Sequence, residues 1–153
     1  MIQRIQTLYL LAAMMLCIGC LCTPIAHFMV SESGEMVDMY NLWLVSAQGG
    51  HLFSFCPVQM GLLVITAAAV FFDIWLFRRR ALQMRLATLC MILLVAWYAA
   101  YGIISYLLCV EMQAIWRPHW TAALPAAALI MLYLAFRGIM KDEMLVRSLD
   151  RLR

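Results

Sequence analysis

The stretch LATLCMILLVAWYAAYGIISYLLCV, Leu86 to Val110, decides the fold. It runs for 25 residues without a charged side chain. A helix needs roughly 20 apolar residues to cross the hydrocarbon core of a bilayer. The run has no polar–apolar alternation, so it does not read as a strand of a membrane barrel. Three further runs share its character. Upstream lie LYLLAAMMLCIGCLCTPIAHF (Leu8 to Phe28) and VQMGLLVITAAAVFFDIWLF (Val58 to Phe77). Downstream lies PHWTAALPAAALIMLYLAF (Pro118 to Phe136). The expectation is an all-α integral membrane protein, a bundle of four transmembrane helices over about residues 5–28, 58–77, 86–110 and 118–150. Pro24 is expected to end or kink the first helix, and Pro118 suits a first helical turn of the fourth.

Composition narrows the function classes. The 153 residues are 67% hydrophobic and 12% charged, against about 25% charged for a soluble domain. Such a chain cannot cover itself with polar groups, so lipid is its first partner. The basic residues flank apolar runs and form no soluble face, which argues against nucleic acid. One membrane domain, 1–153, accounts for the length.

Lys and Arg give the orientation. Arg4 precedes the first run. Arg78, Arg79, Arg80 and Arg85 lie between the second and third runs. Arg137, Lys141, Arg147, Arg151 and Arg153 follow the fourth, and the opposite links hold only Arg117. The positive-inside rule puts both termini in the cytoplasm. Glu32, Glu35, Asp38, Glu111 and all three histidines then lie outside. Trp116 and Trp120 fit the outer interfacial belt, and Trp75 the inner one. A lipoprotein-like cleavage at LCIGC is the weaker reading, because Cys17 stands where a branched aliphatic is usual.

The outer segment, 29–57, has turn signals at SESGE and AQGGH. Between and after them, MVDMYNLWLVS and HLFSF suggest a β-hairpin or a sheet of two or three strands resting on the helix ends. An irregular amphipathic loop is the alternative. Small residues four apart mark candidate contacts between helices three and four: Ala96 with Ala100, Ala122 with Ala126, and Ala123 with Ala127. Asp73 is the one ionisable residue inside a run. An ion pair with Arg137 or Arg4 that fixes register is favoured over a proton or ion relay.

Six cysteines are present: Cys17, Cys20, Cys22, Cys56, Cys90 and Cys109. CIGC has the spacing of a thiol redox motif, but Cys17 and Cys20 sit deep in an apolar run. Packing is the favoured role, and a structural disulfide among Cys22, Cys56 and Cys109 stays open. His27, His51 and His119 lack metal-ligand spacing, and there is no phosphate loop, nucleophile elbow or paired-acid motif. No catalytic residue, metal or cofactor is therefore assigned.

The chain ends in KDEMLVRSLDRLR. Leu145, Leu149 and Leu152 recur on one helical face, and Glu143 and Arg147 are four apart with the acid first. Helix four is expected to run on as a cytoplasmic amphipathic extension, or to bend after Gly138 along the membrane. Together MIQRIQTLYLL, RRRALQMRLATL and KDEMLVRSLDRLR resemble the bacterial family called domain of unknown function 4293, over the whole chain. The matching positions are Gln3, Arg4, Gln6, Arg80, Gln83, Arg85, Asp142, Glu143, Arg147, Asp150 and Arg151. The resemblance implies a small inner-membrane protein of a Gram-negative bacterium and carries no activity. The candidate interaction or packing residues are Arg4, Asp73, Arg80, Gln83, Arg85, Arg137, Glu143, Arg147, Asp150 and Arg151. The favoured role is a non-enzymatic accessory, scaffold or assembly factor with a partner at the cytoplasmic face. A thiol–quinone oxidoreductase and a small transporter or channel subunit are the alternatives.

Overall fold

The structure, a computed structural model, describes residues 2–31, 34–46, 51–52, 57–76 and 79–150. It is mostly helical, with four long apolar helices: α1 (Ile2–Cys22), α2 (Pro57–Trp75), α3 (Arg80–Met112) and α4 (Leu124–Asp150). Each is long and apolar enough to cross a membrane. A small antiparallel sheet joins them, with strands β1 (Ala26–Val30), β2 (Met36–Met39), β3 (Leu44–Ser46), β4 (His51–Leu52) and β5 (Ala114–Pro118). The strand order is β4-β3-β2-β1-β5.

Three boundaries differ from the sequence expectation. The first helix stops at Cys22, not at residue 28. Thr23 donates its hydroxyl to Gly19 O at 2.8 Å, and Pro24 has no N–H with which to continue the ladder. Ala26 to Val30, read as the end of that helix, is a strand whose alternate residues Ala26 and Phe28 are buried. Helix three is longer than 86–110. It begins at Arg80 and ends at Gln113, which adopts a left-handed backbone (φ 46°) and donates its N–H to Cys109 O. Residues read as a plain link then form β5, in register with β1 from Val30↔Ala114 to Ala26↔Pro118. Pro118 therefore closes a strand and does not open a helix. A 3-10 turn, Trp120–Ala123, leads into α4, whose first turn holds Pro125. Proline is tolerated there because the first N–H groups of a helix have no intrahelical partner.

α1 packs on α2 and α4, and α3 packs on the same two, so α1 and α3 lie across a diagonal. The shared core is built from spacings of three and four: Leu10, Ala13, Cys17 and Cys20 on α1, and Cys90, Leu94 and Trp97 on α3. On α4, Ala128, Leu132, Ala135 and Ile139 do the same. Of the alanines expected to mark the α3–α4 seam, Ala96, Ala100 and Ala127 are half-buried, and the others depart from that line. Ala122 and Ala123 precede α4, and Ala126 is exposed. The outward faces are as apolar as the core: Leu8, Ile65, Phe72, Ile92 and Ile130 are each more than half exposed.

The sheet caps one end of this core. Phe28, Val37, Met39, Leu44 and Ser46 form its buried face, and alternation sends His27, Asp38 and Val45 to the other.

Candidate functional site

Polar side chains gather at the two ends of the helical core, and the ends are built differently. At the sheet end, the turn after α1 leaves carbonyls that no helix can satisfy. Three of them, on Cys20, Pro24 and Ile25, find partners from elsewhere in the chain. Asn41, in the β2–β3 turn, donates its amide to Cys20 O at 2.7 Å. Its own oxygen accepts from Trp97 Nε1 at 3.1 Å. Thr121 donates its hydroxyl to Pro24 O. Ile25 O accepts from Tyr101 OH at 3.3 Å and from His119 N at 3.1 Å. Tyr98 OH reaches Ala122 O at 2.7 Å. Trp97, fully buried, stacks on Tyr101 with ring centroids 5.4 Å apart and planes 6° apart. Such a pair contributes about 0.5–1.5 kcal/mol beyond its burial.

Outside this seam, Asp38, His27 and Arg117 form a row across β2, β1 and β5. His27 Nδ1 lies 2.6 Å from Asp38 Oδ1, and the His119 ring meets His27 edge-on at 4.9 Å. His51 falls in β4, and its side chain lies outside the described residues. Among the described residues, no group of three or more His, Cys, Asp or Glu could hold a metal ion. Below β5, Gly102, Ser105, Tyr106, Cys109 and Trp116 line an apolar groove of about 300 Å³.

At the opposite end, Gln6 is buried on α1 and donates to Asp142 Oδ2 of α4 at 2.9 Å. Gly138 lets the two helices come this close, since a Cβ there would meet Gln6 Cγ at 3.1 Å. Between α2 and α3, Gln83 is buried and its amide lies 3.4 Å from the backbone oxygen of Asp73. The Asp73 side chain is fully buried, and among the described residues neither carboxyl oxygen has a hydrogen-bond partner. The expected ion pair with Arg137 is not formed, because Arg137 is exposed. The α2–α3 interface is filled by Gln83 and apolar side chains, and a guanidinium would have to give up water to enter it.

Of the sequence-derived candidates, the structure brings Asp73 and Gln83 together. Arg85 is exposed and Glu143 half-buried. The side chains of Arg4, Arg80, Arg147 and Asp150 lie outside the described residues, as does all of Arg151. Two polar residues that the sequence reading passed over, Gln59 and Thr66, are fully buried on α2. Their signal was present, since both stand a multiple of seven residues before Asp73.

The thiols do not form a surface pair. Cys17, Cys20 and Cys90 are buried, and Cys22 and Cys109 are free, so neither bridges to the other. Cys56 lies outside the described residues.

No curated protein matches the chain. A family model described as Domain of unknown function (DUF4293) matches residues 2–152. The match takes in the paired seam, the sheet and the unpaired carboxyl alike, and the chain belongs to the DUF4293 family.

Proposed function

We propose that this is a multi-pass protein of a bacterial inner membrane, with both termini in the cytoplasm. Its role is that of a non-enzymatic accessory, scaffold or assembly factor that docks a partner at the cytoplasmic face. The belt of exposed apolar side chains around all four helices supports the membrane location, because soluble proteins rarely leave so large a surface uncovered. The ten-to-one bias of Lys and Arg supports the orientation.

The observation that carries the docking role is the length of α4. It runs unbroken for 27 residues, to Asp150. That is about 40 Å at 1.5 Å per residue, against roughly 30 Å of hydrocarbon. The surplus is the charged tail, and Met140, Met144 and Leu145 on it are exposed beside Lys141. A helix that presents apolar side chains among charges beyond the lipid suits a partner's groove.

Thiol–quinone exchange is supported less well. It requires an accessible reactive pair, whereas Cys17 and Cys20 are buried, and of its candidates Cys22, Cys56 and Cys109 the first and last are unbridged and Cys56 lies outside the described residues.

The test is affinity purification of the full chain from native membranes in mild detergent, with Arg147→Ala/Asp150→Ala and Met140→Ser/Met144→Ser as comparisons. Loss of a co-purifying protein in both variants supports docking by the tail. Retention of every partner by both variants refutes it.

A further inference from the structure

The buried positions of α2 are Gln59, Leu63, Thr66, Val70 and Asp73. The three polar ones stand seven residues apart and are each fully buried, so they form one row down the inward face. Thr66 satisfies itself by donating to Leu62 O at 2.7 Å. Among the described residues, the Gln59 amide and the Asp73 carboxyl have no hydrogen-bond partner. Buried polar groups are nearly always paired. An ionised carboxylate buried without a partner is costlier still than an orphaned amide. The Asp73 oxygens therefore call for a partner of another kind.

The surroundings select its chemistry. α2 packs on α1 and α3. From α3, Gln83 approaches the Asp73 backbone oxygen, and the Cys90 thiol lies within electrostatic reach of the carboxyl. From α1, the titratable groups at described buried or half-buried positions are Tyr9, Cys17 and Cys20. Among the described side chains none of these is a cation, and Arg79 and Arg85 are exposed; the side chains of Arg4, Arg78 and Arg80 lie outside the described residues. A metal ion needs several converging oxygens. A proton needs one carboxyl and no added volume.

We propose that Asp73 is a proton-binding site, loaded and emptied from the arginine-rich end of the molecule and closed toward the sheet. Access is one-sided for a geometric reason. Asp73 lies two residues from the last residue of α2, about 3 Å along the axis. In the other direction the next polar group, Thr66, is about 10.5 Å away along the axis, with fully buried Val70 between them. A hydrogen bond spans about 3 Å, so no proton hops across that gap. The step is a simple proton transfer: a hydronium ion gives up one O–H bond, a carboxylate oxygen of Asp73 forms one, neutral water is left, and the negative charge of the site is cancelled. When the proton leaves, the returning charge draws water between α2 and α3 beside Gln83 and loosens that contact. The inner end of the core thus responds to cytoplasmic proton activity, independently of whether α4 docks a partner.

The test uses the full chain in vesicles of phosphatidylethanolamine and phosphatidylglycerol. The protonated-carboxyl stretch is followed by infrared spectroscopy while the external pH is raised. Protease cleavage of the exposed tail gives the fraction of molecules with that end outward. The expected result is a carboxyl band that is lost in Asp73→Asn, kept in Gln59→Leu, and removed by external alkali in the tail-outward fraction alone. Isotope-labelled aspartate in the unsubstituted chain identifies the band even if Asp73→Asn fails to fold. The proposal is overturned if no buried aspartic acid band exists at any pH. It is also overturned if the band responds equally from both sides, or if proton leakage across the vesicles depends on Asp73.

Discussion

The two ends of the helical core meet the same physical problem and answer it differently. At the sheet end, a helix stops at Cys22, and four backbone carbonyls from Gly19 to Ile25 are paired by side chains or backbone groups. At the arginine-rich end, a carboxyl fully withdrawn from solvent has no hydrogen-bond partner among the described residues. Polar groups at the first end hold parts together. At the second, one is left able to change state. The difference shows that burial alone does not assign a role to a polar residue. What decides is whether its removal would orphan anything else.

That contrast can be broken or sharpened by unfolding measurements on the purified chain in detergent. The largest loss is expected for Asn41→Leu. It orphans both Cys20 O and Trp97 Nε1, at about 1–3 kcal/mol each, and should lower the thermal midpoint most of all the variants. Thr121→Val orphans Pro24 O and takes the hydroxyl from His119 Nδ1, which the Thr121 N–H still reaches, so it should lose about half as much. If it lost as much as Asn41→Leu, the two bonds would not be independent parts of the seam. Gly138→Ala is expected near neutral in the natural chain. Its helix-propensity gain of about 1 kcal/mol is offset by contact with Gln6. In a Gln6→Ala background the same change should show the full gain, and a double-mutant cycle reads the difference. Asp38→Ala removes a contact between side chains that are each more than a third exposed, and a loss of about 0.5 kcal/mol or less is expected. Last comes Asp73→Leu, for which no loss is expected, since nothing is orphaned. A loss as large as that of Asn41→Leu would mean that the carboxyl is held by a partner, and the contrast between the ends would collapse.

The four helices were legible because a run of about 20 apolar residues has few other uses. The extension of α4 was legible from the leucine period in its tail. The outer sheet was legible from its turn signals, though as two or three strands and not five. β1 was hidden because Ala26 to Met29 continue an apolar run, and a strand with one buried face uses the same residues as a membrane helix. β5 was hidden for another reason. Ala114 to Pro118 carries no turn signal toward its partner, which lies 92 residues away at Ala26↔Pro118. Local pattern cannot report a pairing at that separation. Asp73 was legible as unusual but was read alone, because attention to charge passed over the neutral Gln59 and Thr66 in the same row. Its lack of a partner is a property of the packed interior, which no spacing reveals.

The position of β5 in the chain also bears on how the protein is made. β1, β2, β3 and β4 are consecutive and can pair as soon as they emerge. β5 is synthesised only after α2 and α3, and Thr121 follows it. Until then the edge of β1 is open and Pro24 O has no donor. Contacts of high sequence separation form slowly because the intervening loop must first be closed. The third helix must therefore be made before the turn that follows the first can be completed. During that interval the open edge of β1 is where a chaperone, or a second nascent chain, would find a strand to pair with.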